Sequence, residues 1–184
     1  KYIDNKKSKE FIPGETYIPS SGQFFDSDDM ASLMDCVLGQ WYGEGKFANE
    51  FEKDLRKYFK STIRHVVLCN SGSSANLLAM SAAKELYGLK EGDEVITTAC
   101  GFPTTVNPII QNGLIPVFID VDLGTYVANL ATVEEAIGER TKAVFMAHTL
   151  GNPFQEREVR DLCDAYGMVL ISDCCDALGA MYED

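Results

Sequence analysis

Short apolar runs alternate with longer helical stretches along most of this chain, and that alternation narrows it to one fold class. Val66-Val67-Leu68, Val95-Ile96-Thr97-Thr98, Ile115 to Val121, Lys142 to Met146 and Met168-Val169-Leu170-Ile171 have the length and composition of buried strands. Between them lie Ser73 to Leu86, Pro103 to Asn112, Val133 to Ile137 and Glu156 to Tyr166, which read as helices, with Gly113 and Gly167 closing two of them. Repeated strand–helix alternation predicts an α/β domain with a mostly parallel sheet flanked by helices. Upstream, Asp26-Ser27-Asp28-Asp29 precedes Met30, Leu33, Met34, Val37 and Leu38, the pattern of a capped amphipathic helix. Trp41-Tyr42-Gly43-Glu44-Gly45 breaks it, and Phe47 to Tyr58 predicts a second helix. Residues 1–25, turn-rich around Pro13-Gly14 and Ser20-Ser21-Gly22, read as an N-terminal arm, and 26–184 as one domain.

Charge narrows the class of partner. Lys plus Arg is 16 and Asp plus Glu is 28, so the net charge is 16 − 28 = −12. A nucleic-acid partner calls for a basic face, so none is expected. A phosphate ligand stays open, because a local nest of backbone N–H groups binds phosphate on an acidic protein. No apolar stretch approaches the roughly 20 residues that cross a bilayer, and the start lacks a signal-peptide core. Cys36, Cys69, Cys100, Cys163, Cys174 and Cys175 are scattered without the spacing of a small disulfide scaffold, which fits a reducing cytoplasmic location. A start without Met and a stop at Asp184 read as truncation at both ends.

Ligands of an α/β sheet sit at the carboxyl ends of its strands, and four clusters fall there. Asn70-Ser71-Gly72-Ser73-Ser74-Ala75-Asn76 follows a strand and opens a helix. Its glycine permits close backbone approach, and its free N–H groups and hydroxyls suit an anion. It is no Walker loop, since no Gly-Lys-Ser/Thr follows; a plain serine-capped turn is equally compatible. In Ala99-Cys100-Gly101-Phe102-Pro103, Phe102 can stack on a flat ring or simply pack ahead of a Pro-started helix. His148 precedes the turn Gly151-Asn152-Pro153, and a single His is more often structural than catalytic. In Ser172-Asp173-Cys174-Cys175-Asp176-Ala177-Leu178-Gly179, Asp173 suits a metal, a ribose or a protonated ring nitrogen. The adjacent Cys174 and Cys175 point opposite ways in extended chain, so they cannot share a metal without a turn. The order of the clusters is more telling than any one of them. A phosphate nest, a ring-stacking aromatic and an Asp are what pyridoxal phosphate requires, the Asp keeping the pyridine nitrogen protonated.

Across nearly its whole length the chain resembles the sugar aminotransferase family of the DegT/StrS type, within the fold type I pyridoxal-phosphate enzymes. It is most similar to the family's CDP-4-keto-6-deoxyglucose 3-dehydrase branch. The stretches that carry the likeness are Asn70 to Leu78, Gly101 to Gly113, His148 to Phe154 and Asp173 to Gly179. The resemblance implies a fold type I large domain, incomplete at its C-terminal side and lacking the small C-terminal domain. It implies that Gly72, Ser73 and Ser74 hold the cofactor phosphate, Phe102 stacks on the ring, and Asp173 pairs with the pyridine nitrogen. Asp176 takes the cofactor-side place where many family aminotransferases have Gln. His148 is given no firm role.

The implied activity is 3-dehydration of a nucleotide-linked 4-keto-6-deoxyhexose on pyridoxamine phosphate, toward 3,6-dideoxyhexoses of lipopolysaccharide. An iron–sulfur flavoprotein reductase is the implied partner and a homodimer the implied assembly. Cys175 matches the first ligand of a 2Fe–2S cluster, although a GDP-sugar relative without a cluster also has Cys there. Ser172 and Cys174 depart from the Glu and Asn usual in the dehydrases. The base, Lys in aminotransferases and His in dehydrases, is expected beyond Asp184, so no catalytic residue is assigned within the chain. The rivals are an aminotransferase, a non-catalytic gene product, and a flavodoxin-like binding module that has no use for the Phe102–Asp173 pairing.

Overall fold

A computed structural model describes residues 10–18, 22, 25–59 and 65–182. The chain divides into two compact units, Lys1–Leu68 and Cys69–Asp184. In the first, helix α1 (Ser27–Leu38) starts on a reciprocal cap. Asp26 accepts the Asp28 and Asp29 N–H groups, and the Asp29 carboxylate accepts the Asp26 N–H. Helix α2 (Lys46–Tyr58) follows the Trp41–Gly45 break, as its apolar spacing predicts. Within the expected arm, Pro13-Gly14 forms a turn in which the Glu15 and Thr16 N–H groups return to Ile12 O. Residues 1–9, 19–21 and 23–24 of that arm lie outside the described residues.

The second unit carries the sheet. Its elements run α3 (Gly72–Tyr87), β1 (Glu94–Thr98), α4 (Pro103–Gln111), β2 (Ile115–Ile119), α5 (Leu130–Glu135), β3 (Thr141–Ala147), a 3₁₀ turn (Thr149–Gly151), α6 (Glu156–Tyr166) and β4 (Val169–Asp173). Among the described residues four strands form the sheet, all parallel and in the order β2-β1-β3-β4, so β2 and β4 are its edges there. Alternate residues of β3 enter opposite layers, as the two-residue period of a strand requires. Ala143 and Phe145 pack with Met80 of α3 and Ile109 of α4. Val144 and Met146 pack with Val133 of α5 and Val159 and Cys163 of α6.

The expected α/β fold with a parallel sheet is therefore the observed one. Val66–Leu68 is a correction: it forms no strand, and Val67 is 82% exposed. A strand needs a neighbour to pair its backbone groups, and no described residue offers this segment a ladder. Helix α5 begins three residues before the expected start. Asn129 caps it by accepting the Thr132 N–H, an Asn signal that apolar spacing does not register. Strand β4 runs two residues past Ile171, which makes Asp173 its last residue.

Candidate functional site

Ser71 ends the extended chain and caps α3. Its hydroxyl accepts the Ser74 N–H at 3.2 Å, and its carbonyl accepts the Ala75 N–H at 3.0 Å. The Gly72 and Ser73 N–H groups find no acceptor among the described residues, so the positive end of a 16-residue helix is open there. The Ser73 hydroxyl donates to Thr104 Oγ1 at 3.1 Å, tying α3 to the first turn of α4. The Ser74 hydroxyl instead accepts from Ser71 Oγ at 3.3 Å.

Asp173 closes β4 and is held from three sides. Its Oδ2 accepts Asn76 Nδ2 and Thr105 Oγ1, both at 2.8 Å, and its Oδ1 accepts the Cys175 N–H at 3.1 Å. Asn76 also donates to Thr104 O at 3.2 Å. Asn76 and Thr105 are both buried. Helices α3 and α4 therefore fix one carboxylate at the strand end, and buried polar groups satisfied in this way specify a single arrangement.

Gly72, Ser73, Asn76, Phe102, Thr104, His148, Thr149, Asp173, Cys175 and Asp176 line one cleft of about 320 Å³. The structure thus brings together all the sequence-predicted residues except Ser74, which stays behind in the capping turn. Phe102 occupies the cap position of α4, two-thirds exposed beside the cleft. A Cβ added at Gly72 lies 3.2 Å from Cys175 Sγ, so the glycine lets the helix start approach the turn after β4. Asp176 accepts the Leu150 N–H on Oδ2 at 3.2 Å. Among the described residues no group of three His, Cys, Asp or Glu side chains converges to hold a metal.

His148 lies buried at the end of β3, stacked on Phe154 with ring centroids 4.3 Å apart. Nε2 faces Glu156 Oε2 at 3.5 Å, and Nδ1 accepts the Phe154 N–H at 3.3 Å. Burial disfavours the charged ring, while Cys174 and Glu156 together raise it to about 9. The Phe154 amide opposes that rise, because a doubly protonated ring would set an N–H against it. In the ring's neutral form this pairing puts the proton on Nε2, toward Glu156. His148, then Arg160 at 2.6 Å, hold the Glu156 carboxylate below its usual range against the opposing effect of burial.

Sequence reasoning gave no role to Asn76, Thr105 or Thr149. The signal for Asn76 was available: Asn76, Met80 and Ala83 form one buried stripe of α3, and an amide on an apolar stripe needs a partner. Thr105 had no comparable mark. Among the described residues, Thr149 Oγ1 is buried in the cleft wall without a hydrogen-bond partner.

An open helix N-terminus, an exposed ring and a fixed carboxylate on one cleft suit a flat, phosphorylated heteroaromatic ring. Residues 24–184 match the model of the DegT/DnrJ/EryC1/StrS aminotransferase family. The lipopolysaccharide biosynthesis protein RfbH of Salmonella typhimurium is 48% identical over 95% of this chain and 40% of its own length. A dTDP-4-dehydro-2,6-dideoxy-D-glucose 3-dehydratase of Saccharopolyspora spinosa is 44% identical over 99% of this chain and 40% of its own. Among solved structures, GDP-4-keto-6-deoxymannose-3-dehydratase with a trapped PLP-glutamate geminal diamine superimposes with a TM-score of 0.83 at 28% identity, over 91% of this chain and 44% of that one. The chain spans about 40% of the length of the curated relatives it matches.

Proposed function

The chain belongs to the DegT/DnrJ/EryC1/StrS aminotransferase family, and from that premise we propose that it carries the cofactor-binding part of a sugar 3-dehydrase. The substrate is a nucleotide-linked 4-keto-6-deoxyhexose, on the way to 3,6-dideoxyhexoses of lipopolysaccharide. Residues 26–184 are then part of the large domain, with the small domain supplied elsewhere in a longer, cytoplasmic, homodimeric protein. The observation that carries this reading is Asp173, fixed by Asn76 and Thr105 at the end of β4, opposite the open start of α3. Two relatives named for 3-dehydration or for lipopolysaccharide synthesis, at 44% and 48% identity, support the choice of reaction.

Pyridoxamine phosphate, when bound, supplies the electron sink that makes loss of the sugar's 3-hydroxyl feasible. The chain's own residues hold and bias it. The Gly72 and Ser73 N–H groups and the Ser73 hydroxyl would donate to the phosphate at the helix start. Phe102 covers a ring face. Asp173 keeps the ring nitrogen protonated, since a fixed carboxylate favours a neighbouring positive charge. Asn76 and Thr105 stop that carboxylate from turning away. The proton-abstracting base comes from outside residues 1–184, and we propose His there, because imidazole titrates near neutrality and cannot bond covalently to the cofactor as Lys does. Lys at that position selects the aminotransferase reading instead.

We also propose Cys175 as one thiolate of a 2Fe–2S cluster, the other three lying outside this chain, with an iron–sulfur flavoprotein reductase delivering electrons. Iron and sulfide analysis of the full-length protein, with Cys175→Ser beside it, tests this; a cluster-free wild type removes the cluster. The test of the main reading is turnover of a nucleotide-linked 4-keto-6-deoxyhexose by the full-length protein with pyridoxamine phosphate. Loss of the 3-hydroxyl is expected, and Asp173→Asn is expected to lower its rate more than cofactor affinity. Amine transfer to carbon 4 without loss of the 3-hydroxyl replaces the dehydrase by the aminotransferase.

A further inference from the structure

Leu150 stands in the left-handed region, φ 57° and ψ 22°, with 71% of its surface exposed. Nothing in a leucine favours that conformation, because its Cβ crowds the backbone there. Asp176 holds it there, with Oδ2 accepting the Leu150 N–H at 3.2 Å. The next residue presses on the same place: a Cβ added at Gly151, itself at φ 83°, lies 3.0 Å from Asp176 O. Asp176 is in turn held by its own turn, through the Cys175 N–H on Asp173 Oδ1 and the Ala177 N–H on Cys174 O. A continuous path thus runs from the carboxylate at the end of β4, through Asp176, to the Thr149–Gly151 turn at the end of β3. Thr149 and His148 of that second segment line the cleft. Strained, non-glycine backbone that its surroundings over-determine is a mark of functional walls.

We propose that Asp176 is a positioning residue: its carboxylate holds Leu150 left-handed and so sets the Thr149–Gly151 turn as a fixed wall of the cleft beside Asp173. The proposal deepens the cofactor-site reading and rests on it for the ligand. Its backbone half stands alone. The role differs from direct contact with the cofactor, and the two roles separate by chemistry. The positioning role needs an acceptor oxygen at 176 and no charge. It also becomes dispensable once residue 150 takes the left-handed region unaided, as glycine does.

The experiment uses the full-length protein with Asp176→Ala, Asp176→Asn, Leu150→Gly and the Asp176→Ala/Leu150→Gly double variant. Hydrogen exchange of the segment 148–153 is followed without ligand, and affinity for pyridoxamine phosphate is read separately by titration. Asp176→Ala is expected to speed exchange of the Leu150 amide about tenfold or more, and Asp176→Asn to keep most of the protection. Asp176→Ala is expected to weaken pyridoxamine phosphate about fivefold or more in the Leu150 background. The same change made in the Leu150→Gly background should cost about twofold at most. Equal damage from Asn and Ala, unchanged exchange, or an undiminished loss in the glycine background each overturns the proposal and returns Asp176 to a charge-based ligand contact. Failure of the wild type to bind pyridoxamine phosphate sinks the cofactor reading instead, and the exchange comparison still decides whether Asp176 holds the turn.

Discussion

At Ser73 and Ser74, two adjacent hydroxyls that look alike in sequence have been given different duties. Ser73 faces the cleft, whereas Ser74 is engaged with the capping Ser71. A hydrogen bond to a charged phosphate contributes about 1.5–3 kcal/mol, roughly tenfold or more in affinity. Ser73→Ala is therefore expected to weaken pyridoxamine phosphate binding about tenfold in the full-length protein, and Ser74→Ala about threefold at most; equilibrium titration distinguishes them. Asn76 serves stability as well as the site. Asn76→Ala removes a donor from Asp173, which keeps Thr105, and from Thr104 O, both in part-buried places, and a loss of about 1–3 kcal/mol is expected from the lost donors. The urea midpoint of folding measures it, and an unchanged midpoint refutes it.

Among the elements, α6 carries the clearest pH signature. Glu156 in its first turn meets His148 and Arg160, and its folded carboxyl lies below the ordinary 4.5. A lowered acid favours the folded state above its unfolded value, and that stabilisation fades as pH falls through the folded value. Acid titration of stability should thus show a loss beginning below pH 4.5 that Glu156→Gln diminishes. Identical acid limbs for the two proteins contradict the assignment.

The elements also show how much of the fold was legible in the sequence. Helices α1, α2, α4 and α6 announced themselves through caps, prolines and apolar spacing, which are local signals. Strands β1 to β4 were legible as apolar runs, yet Val66–Leu68 has the same composition and forms none, because pairing is a property of neighbours and not of the run. The cleft residues were legible by their place at strand ends. Their supports, Thr105 above all, were not, since a threonine in a Pro-started helix carries no mark of the carboxylate it meets 68 residues later.

At the scale of the whole molecule, residues 1–184 hold the cleft we assign to the cofactor without the base we assign to another part of the protein. The isolated chain is expected to show no 3-dehydration of a nucleotide-linked 4-keto-6-deoxyhexose, with or without added pyridoxamine phosphate. Product analysis checks this, and any deoxygenated sugar from the isolated chain overturns it. The sheet order carries a practical consequence for that experiment. Strand β4 lies at the edge with all five of its residues only partly covered, and Val169, Leu170 and Ile171 are among them. An edge strand presents a row of unpaired backbone groups that templates another chain, and here no Lys or Pro blunts it. Handled alone and concentrated, this polypeptide should therefore build intermolecular β-structure and precipitate, and a rise in turbidity with protein concentration is the measurement that checks it.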